Sequence, residues 1–213
     1  MGGTLALCAE SQVEIRLLCM SNGESGTDRR GLQASGAELG KVRAEELRAS
    51  CSALGIFDLH TLGFPDGELT YADLRPFIGL HLREFSPQVI LTLGTDGVYG
   101  HIDHLATTGA VSRLSKTPNT RVLHTAFEPG LFAPLHKRLK RWRPTMIGPN
   151  VRRNQLGTPR SQVALQVNIE TVRQKKLNAI NAHSTQLENN DPYSFLLPNL
   201  IESLLKEEYY SLA

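Results

Sequence analysis

Cysteine, aromatic side chains, long apolar runs and a charge excess are all scarce in this chain, and each scarcity excludes something. Three cysteines stand among 213 residues, Cys8, Cys19 and Cys51. The count is odd and holds no C-x-x-C pair. That excludes a disulfide framework and a four-cysteine metal knot, and it predicts buried free thiols in a reducing cytoplasm. No apolar run approaches the ~18 residues that a membrane-spanning helix needs, so no membrane span is expected. The N-terminus has no basic region and no small-residue cleavage site, so it does not read as a signal peptide. Aromatics make up 6% of the residues, with one tryptophan. A net charge of +2 is too small to argue for nucleic acid as a partner.

What remains is the composition of a soluble enzyme, 40% hydrophobic and 21% charged, at a length that suits one domain with a full core. One stretch departs from the even charge. Lys137 to Arg153 holds seven Lys/Arg and no acid, with Trp142 among them. The plain reading is a solvated face and loop. The sharper one is a basic lip that attracts an anionic part of a substrate.

Helical and strand-like segments alternate. Thr4 to Ala9 reads as helix and Val13 to Met20 as strand, followed by a Gly/Ser/Asp-rich loop from Ser21 to Gly36. Ala37 to Leu54 carries apolar residues near helical spacing, with Gly55 as the stop. Leu59 to Leu62 is a short strand before a Gly63–Gly67 turn. Tyr71 to Phe85 is a helix whose start is set back by Pro76. The apolar run Val89 to Leu93 reads as a strand buried on both faces, as in a parallel sheet. A helix from about Asp103 to Leu114 and a strand at Arg121 to Ala126 come next. Val163 to Ile169 reads as an edge strand, Glu170 to His183 as helix, and Pro192 to Tyr210 as a capping helical segment. The alternation predicts an α/β fold, a three-layer Rossmann-like sandwich with a mostly parallel sheet.

The richest chemistry follows the strand at Val89. Tyr99-Gly100-His101-Ile102-Asp103-His104 gathers two imidazoles, a carboxylate and a phenol beyond a strand's carboxyl end, where open α/β sheets bind ligands. His101 and His104 are three apart and share a face if the turn is helical. By type and place this is metal-ligand or acid/base chemistry.

Several further pieces make the chain resemble the LmbE-like or PIG-L family of zinc-dependent N-acetylglucosaminyl deacetylases. They are Gly2-Gly3-Thr4-Leu5-Ala6, Ser21-Asn22-Gly23-Glu24, Val42-Arg43-Ala44-Glu45-Glu46-Leu47, Gly63-Phe64-Pro65-Asp66-Gly67-Glu68-Leu69, the Tyr99–His104 stretch, and Ala182-His183-Ser184-Thr185-Gln186. The match runs through most of the chain in order, as a single LmbE-like domain over residues 1–213.

The resemblance implies roles. His104 is implied as a zinc ligand, where the alternative is an ordinary helix-start histidine. His101 would protonate the leaving amine or stabilise the tetrahedral intermediate, and Asp103 would orient it, or cap a helix, or do both. The Tyr99 hydroxyl would serve the developing oxyanion; the alternative is a rim aromatic. Arg43, Asp66 and Glu24 would hold the sugar, against a surface ion pair of Arg43 with Glu46 or Glu38 and plain turn chemistry for Asp66. His183 and Gln186 would line the site or cap a helix end. His60, His81, His124 and His136 have no partner pattern and read as structural or exposed. The implied reaction removes the N-acetyl group from a small N-acetylglucosaminyl conjugate, with zinc as cofactor. A homo-oligomer stays open.

One departure is large. The family carries an A-H-P-D-D-E signature just before its G-G-T-L-A helix, which supplies two zinc ligands and a general base. This sequence starts directly after that place, and the first central strand is expected to be missing with it. As written, the chain is expected to be inactive or nearly so. The preferred account is an N-terminally truncated reading of a longer protein. The alternative is a degenerate, non-catalytic sugar- or partner-binding module on the same scaffold. A dinucleotide-binding protein is disfavoured because no G-x-G-x-x-G follows a strand.

Overall fold

The computed structural model describes residues 1–31, 34–114, 120–194 and 200–213. The chain forms two compact units. The first comprises Met1–Asp66 and Val167–Glu208, the second Gly67–Gln166 and Tyr209–Ala213.

In the first unit, helix α1 (Gly2–Glu10) precedes strand β1 (Arg16–Cys19). Helix α2 (Gly36–Leu54) leads to strand β2 (Asp58–Thr61), which pairs with β1 in parallel, Arg16 opposite Asp58 and Cys19 opposite Thr61. The stop at Gly55 is as the sequence suggests. Gly55 takes φ +81°, its N–H meets the Ser52 carbonyl, and the Ile56 N–H meets that of Cys51. A residue with a Cβ resists that left-handed conformation. Ile56, 2% exposed, then drops into a core with Ala6, Cys51, Leu54, Ile169, Val172 and Ala179. Fully burying one such side chain contributes about 1.5–3 kcal/mol. Gly3 is held to glycine by space: a Cβ there would lie 2.5 Å from Ile169 Cδ1.

The second unit opens with helix α3 (Arg75–Phe85), which begins later than its apolar pattern because Pro76, lacking an N–H, fits only the first turn. Strand β3 (Val89–Thr92) follows, then a one-turn element α4 (Gly97–Gly100) and helix α5 (Ile102–Leu114). Strand β4 (Arg121–Ala126) pairs with β3 in parallel, and helix α6 (Ala133–Trp142) comes after it. The later elements are strand β5 (Leu165–Asn168), helix α7 (Arg173–Asn181), the short helix α8 (Leu200–Leu204) and strand β6 (Glu207–Leu212). A four-stranded sheet has the order β3-β4-β6-β5, with β6 antiparallel to β4; β1 and β2 form a separate pair.

The α/β class and the parallel pairing are as expected, and four local readings need correction. The strand expected over Val13 to Met20 is only four residues long, its first part being loop. The apolar run at Val89 is not buried on both faces. It is the outermost strand of its sheet, and Val89 is 50% exposed. Glu170 to His183 is not one helix: a 3-10 turn, Glu170–Val172, leads into α7. The segment from Pro192 to Tyr210 is not a helical cap. It holds a 3-10 turn (Pro192–Ser194), α8, and a strand inside the sheet; residues 195–199 lie outside the described residues.

That unexpected strand carries Tyr210, fully buried, and Glu208, 6% exposed. In the first unit, Glu208 ties down the start of α1. Its carboxylate accepts from the N–H groups of Gly3 and Thr4 and from the Thr4 hydroxyl. It also pairs with Lys176 at 2.7 Å and with the Met1 ammonium at 3.1 Å. Burial alone would raise the Glu208 pKa. The two cations and the hydrogen bonds from Lys176 and Thr4 outweigh that and hold the carboxyl well below the usual range.

Candidate active site

The Tyr99–His104 stretch is positioned by its own backbone. After β3, Asp96 caps α4. One of its carboxylate oxygens accepts from the Val98 N–H at 2.9 Å, the other from the Gly157 N–H at 2.8 Å. Val98 then sits at φ +68°, ψ −61°, a strained turn for a β-branched residue. Gly100 follows at φ +86°, where a Cβ would lie 3.0 Å from Val151 and 3.1 Å from His136 Nδ1, so only glycine fits.

This sharp path stacks three rings together. The centroids of His101 and His104 are 4.8 Å apart, and Tyr99 lies 5.7 Å from His101 and 5.3 Å from His104, edge-on to both. The shared face expected of the two histidines is therefore present. His136, read from sequence as structural or exposed, is 2% exposed, and its Nδ1 lies 2.9 Å from the Tyr99 carbonyl. It holds the turn from α6. No motif in the sequence links it to Tyr99, 37 residues away.

The two imidazoles are set differently. His104 Nδ1 lies 3.0 Å from the Gly97 carbonyl, which can only accept, so Nδ1 carries the proton and Nε2 keeps its lone pair. Burial, and then the neighbouring His101, push the His104 pKa down to about 4. A neutral imidazole with one nitrogen fixed by a carbonyl is the form that ligates metals. His101 Nδ1 accepts from the backbone N–H of Asp103 at 3.2 Å, which puts the neutral ring's proton on Nε2. The Asp103 carboxylate is turned elsewhere: it accepts from the N–H groups of Gly67 at 2.7 Å and Leu69 at 3.1 Å. The contact that orients His101 thus comes from the main chain of Asp103, while its carboxylate fastens the loop at Gly67 to the start of α5.

In the first unit, the residues expected to hold a sugar form a compact polar cluster. Arg43, on α2, donates to the carbonyls of Gly23 and Thr27 and to the Thr185 hydroxyl. Burial lowers its pKa, opposed by the charges of Asp66, Glu46 and Asp28. Neither Glu38 nor Glu46 forms an ion pair with it among the described residues. Glu46 instead accepts from the Thr185 N–H and the hydroxyls of Thr185 and Ser184, each at 2.7 Å. Asp66 accepts from the Ser25 N–H at 3.1 Å, and its own N–H donates to Glu24 at 2.8 Å. The second Glu24 oxygen and the Asn22 side-chain oxygen are buried without a hydrogen-bond partner among the described residues. Uncompensated buried acceptors cost about 1–3 kcal/mol each, so these two oxygens call for donors beyond the described residues. His183 stands before the 3-10 turn Ser184–Gln186, and burial lowers its pKa. Its Nδ1 is 3.5 Å from Gln186 Nε2.

Zinc, which the family resemblance implies, needs about three protein ligands and an open position. Among the described residues no group of three or more His, Cys, Asp or Glu side chains is placed to hold a metal ion. His104 Nε2 makes no hydrogen bond there and suits the role, but the Asp103 carboxylate is taken by two amides. These residues alone do not fit a complete zinc site.

A cavity of about 540 Å3 also lies in the second unit, lined by Asp96, His124, Asn154, Gln155, Gly157 and Gln162 among others. His101 and His104 are not in its walls.

Known proteins resemble this chain in sequence and in fold. Residues 1–115 match the PIG-L family, described as GlcNAc-PI de-N-acetylase. A 1D-myo-inositol 2-acetamido-2-deoxy-alpha-D-glucopyranoside deacetylase of Acidothermus cellulolyticus is 28% identical, over 99% of this chain and 82% of that protein. A probable N-acetyl-alpha-D-glucosaminyl L-malate deacetylase 2 of Bacillus cereus is 29% identical, over 88% of this chain and 77% of its own length. Among solved structures, N,N'-diacetylchitobiose deacetylase from Pyrococcus horikoshii superposes with a TM-score of 0.67 at 22% identity, covering 100% of this chain and 78% of that one. At that identity the likeness concerns the fold.

Proposed function

The chain belongs to the PIG-L family, and from that premise we propose that it is an N-deacetylase that hydrolyses the acetamide of a small N-acetylglucosaminyl conjugate. The observation that carries this reading is the ring cluster, in which a neutral His104, its Nδ1 held by the Gly97 carbonyl, adjoins His101 and Tyr99.

The roles are those the family resemblance implies, and the geometry supports them as follows. With its Nδ1 accepting from the Asp103 N–H, the neutral His101 ring presents Nε2–H, a donor that would stabilise the charge developing on the tetrahedral intermediate. The Tyr99 hydroxyl stabilises negative charge on the carbonyl oxygen as the tetrahedral intermediate forms. Asp103 keeps the turn and the loop at Gly67 in one arrangement. Arg43, Asp66 and Glu24 bind the sugar, and the unpartnered Glu24 oxygen is the acceptor best placed by need to take a hydroxyl donor. The cofactor of this reading is zinc, with His104 as the ligand that these residues provide. No further ligands are grouped with it among the described residues.

The test is acetate release and primary-amine formation from N-acetylglucosaminyl-inositol and N-acetylglucosaminyl-malate. The protein is taken as its host produces it, with zinc supplied and with a chelator. Chelator-sensitive release of one acetate per amine is expected. An intact, zinc-supplied protein that binds such a conjugate without releasing acetate would establish the non-catalytic module instead.

A further inference from the structure

The basic stretch singled out in the sequence has no part in the deacetylation chemistry, and its placement is specific. In α6, Leu135 and His136 face inward at 5% and 2% exposure. At about 100° per residue, Lys140, Lys137, Arg141 and Arg138 follow one another around the opposite face, and all four are exposed. Arg152 and Arg153 are exposed further along. None of these six forms an ion pair among the described residues, and residues 137–153 contain no acid. Trp142, where α6 ends, is 71% exposed, with the Arg141 guanidinium 5.4 Å from its ring centroid. The ring and the cations beside it together offer one surface that is both basic and amphipathic.

We propose that the outer face of α6, with Trp142, is a docking surface for an anionic lipid bilayer. The apolar side of the helix is already used in the protein's own packing, so the helix adsorbs on the surface and does not sink into it. The cations meet lipid phosphates and acidic headgroups, and the indole reaches the interfacial layer, where its apolar body and N–H both find partners. Charge complementarity selects an anionic partner, and the lone aromatic selects a bilayer over single-stranded nucleic acid. Nucleic-acid grooves carry successive aromatic platforms for successive bases, whereas a convex helix with one indole suits a flat surface.

Docking there would bear on the site. His136 of the same helix holds the Tyr99 carbonyl, and the segment after α6 binds the same turn, Gly148 N–H to the Gly100 carbonyl at 2.8 Å and Ile147 bridged to His101. A bilayer held by α6 is therefore coupled through two short links to the turn that carries the rings.

Trp142 is the one tryptophan of the chain, so its emission reports the contact directly. The protein is titrated with vesicles of phosphatidylcholine alone and of phosphatidylcholine with an equal share of phosphatidylglycerol. A blue shift and protection from a soluble quencher are expected with the anionic vesicles only. Both should be lost on going from about 0.1 M to 1 M salt, where the screening length falls from about 10 Å to 3 Å. Each basic side chain near such a surface is worth roughly fivefold in partitioning. Lys137→Gln, Arg138→Gln, Lys140→Gln and Arg141→Gln together should therefore weaken co-sedimentation by about a hundredfold or more, with an unchanged melting temperature. An equal shift with neutral vesicles, undiminished binding by the folded quadruple variant, or no shift with either vesicle would overturn the proposal. So would an equal shift with polyuridylate at matched phosphate, which would assign the surface to nucleic acid.

Discussion

The polar cluster around Arg43 and the ring cluster around His101 are built on opposite plans. Around Arg43, almost every polar atom is committed to a neighbour in the same unit: the guanidinium to two carbonyls and a hydroxyl, Glu46 to three donors, Asp66 to Ser25 and Glu24. Around His101 main-chain contacts at Nδ1 orient both imidazoles, the Asp103 N–H for His101 and the Gly97 carbonyl for His104. The first plan makes a rigid shape whose capacity for a ligand lies in a few residual acceptors. The second makes rings whose orientation is set by the backbone, with burial keeping His104 neutral. Changes in the second region should therefore appear in turnover, and changes in the networks of the first unit in stability or affinity.

The widest separation is expected at His101. His101→Ala removes a group proposed to act only on charge that develops during reaction, so kcat should fall by about 10²–10⁴-fold while bound zinc is kept. Paired measurements of kcat and metal content check this. Loss of the metal in His101→Ala and its retention in His104→Ala would exchange the two roles.

The converse experiment is Glu208→Gln. It leaves Lys176, with a side chain 9% exposed, without its charge partner, and it weakens the hold on the start of α1. Removing one member of a buried pair costs about 3–5 kcal/mol, to be read from urea denaturation, with kcat of the folded fraction unchanged. A loss under about 1 kcal/mol would show the pair to be solvated like a surface bridge.

Glu208 also marks the limit of what the sequence discloses. The helix over Gly36–Leu54 and its glycine stop were legible because one periodicity and one backbone preference suffice. So was the set-back start of α3, dictated by Pro76 alone. The strand Glu207–Leu212 was not, because Glu-Glu-Tyr-Tyr lacks strand alternation and the burial of Glu208 depends on Lys176 and α1, both remote in sequence. The ring cluster was legible as a group of residue types. The destination of the Asp103 carboxylate and the grip of His136 were not, since their partners are main-chain atoms 34 to 37 residues distant. Side-chain to main-chain bonds leave no mark on the partner's identity.

A smaller effect separates shape from chemistry in the polar cluster itself. Glu46→Gln keeps the outline but replaces a charged acceptor of three hydrogen bonds, one of them from the Thr185 hydroxyl that also contacts Arg43. Hydrogen bonds to charged groups are worth about 1.5–3 kcal/mol, and part of that should be lost in denaturation. The conjugate's KM should rise through the loosened Arg43, with kcat nearly kept. An equal fall in kcat and kcat/KM would mean that the cluster acts in the transition state and that the contrast of plans fails there.

The gentlest probe is pH. His124, 3% exposed on β4, and His183 are both held below the ordinary histidine pKa by burial. A histidine with a lowered pKa stays neutral in the fold while the unfolded chain takes up a proton. Stability is therefore fully present above about pH 6.5 and declines as pH falls below it, down to the folded value. Each such group adds a slope of up to about 1.4 kcal/mol per pH unit. Glu208 adds its own loss only lower, once pH falls below the usual carboxylate range, because its folded pKa is depressed. Denaturation midpoints between pH 7.5 and 5 should thus decline before any carboxylate titrates, about equally in wild type and in Glu208→Gln. His124→Gln should flatten the decline, since glutamine fills the site near the Ser112 hydroxyl without a charge to gain. A midpoint that is level down to pH 5 would show that water reaches these rings, and it would count equally against a neutral His104, whose pKa is lowered in the same direction.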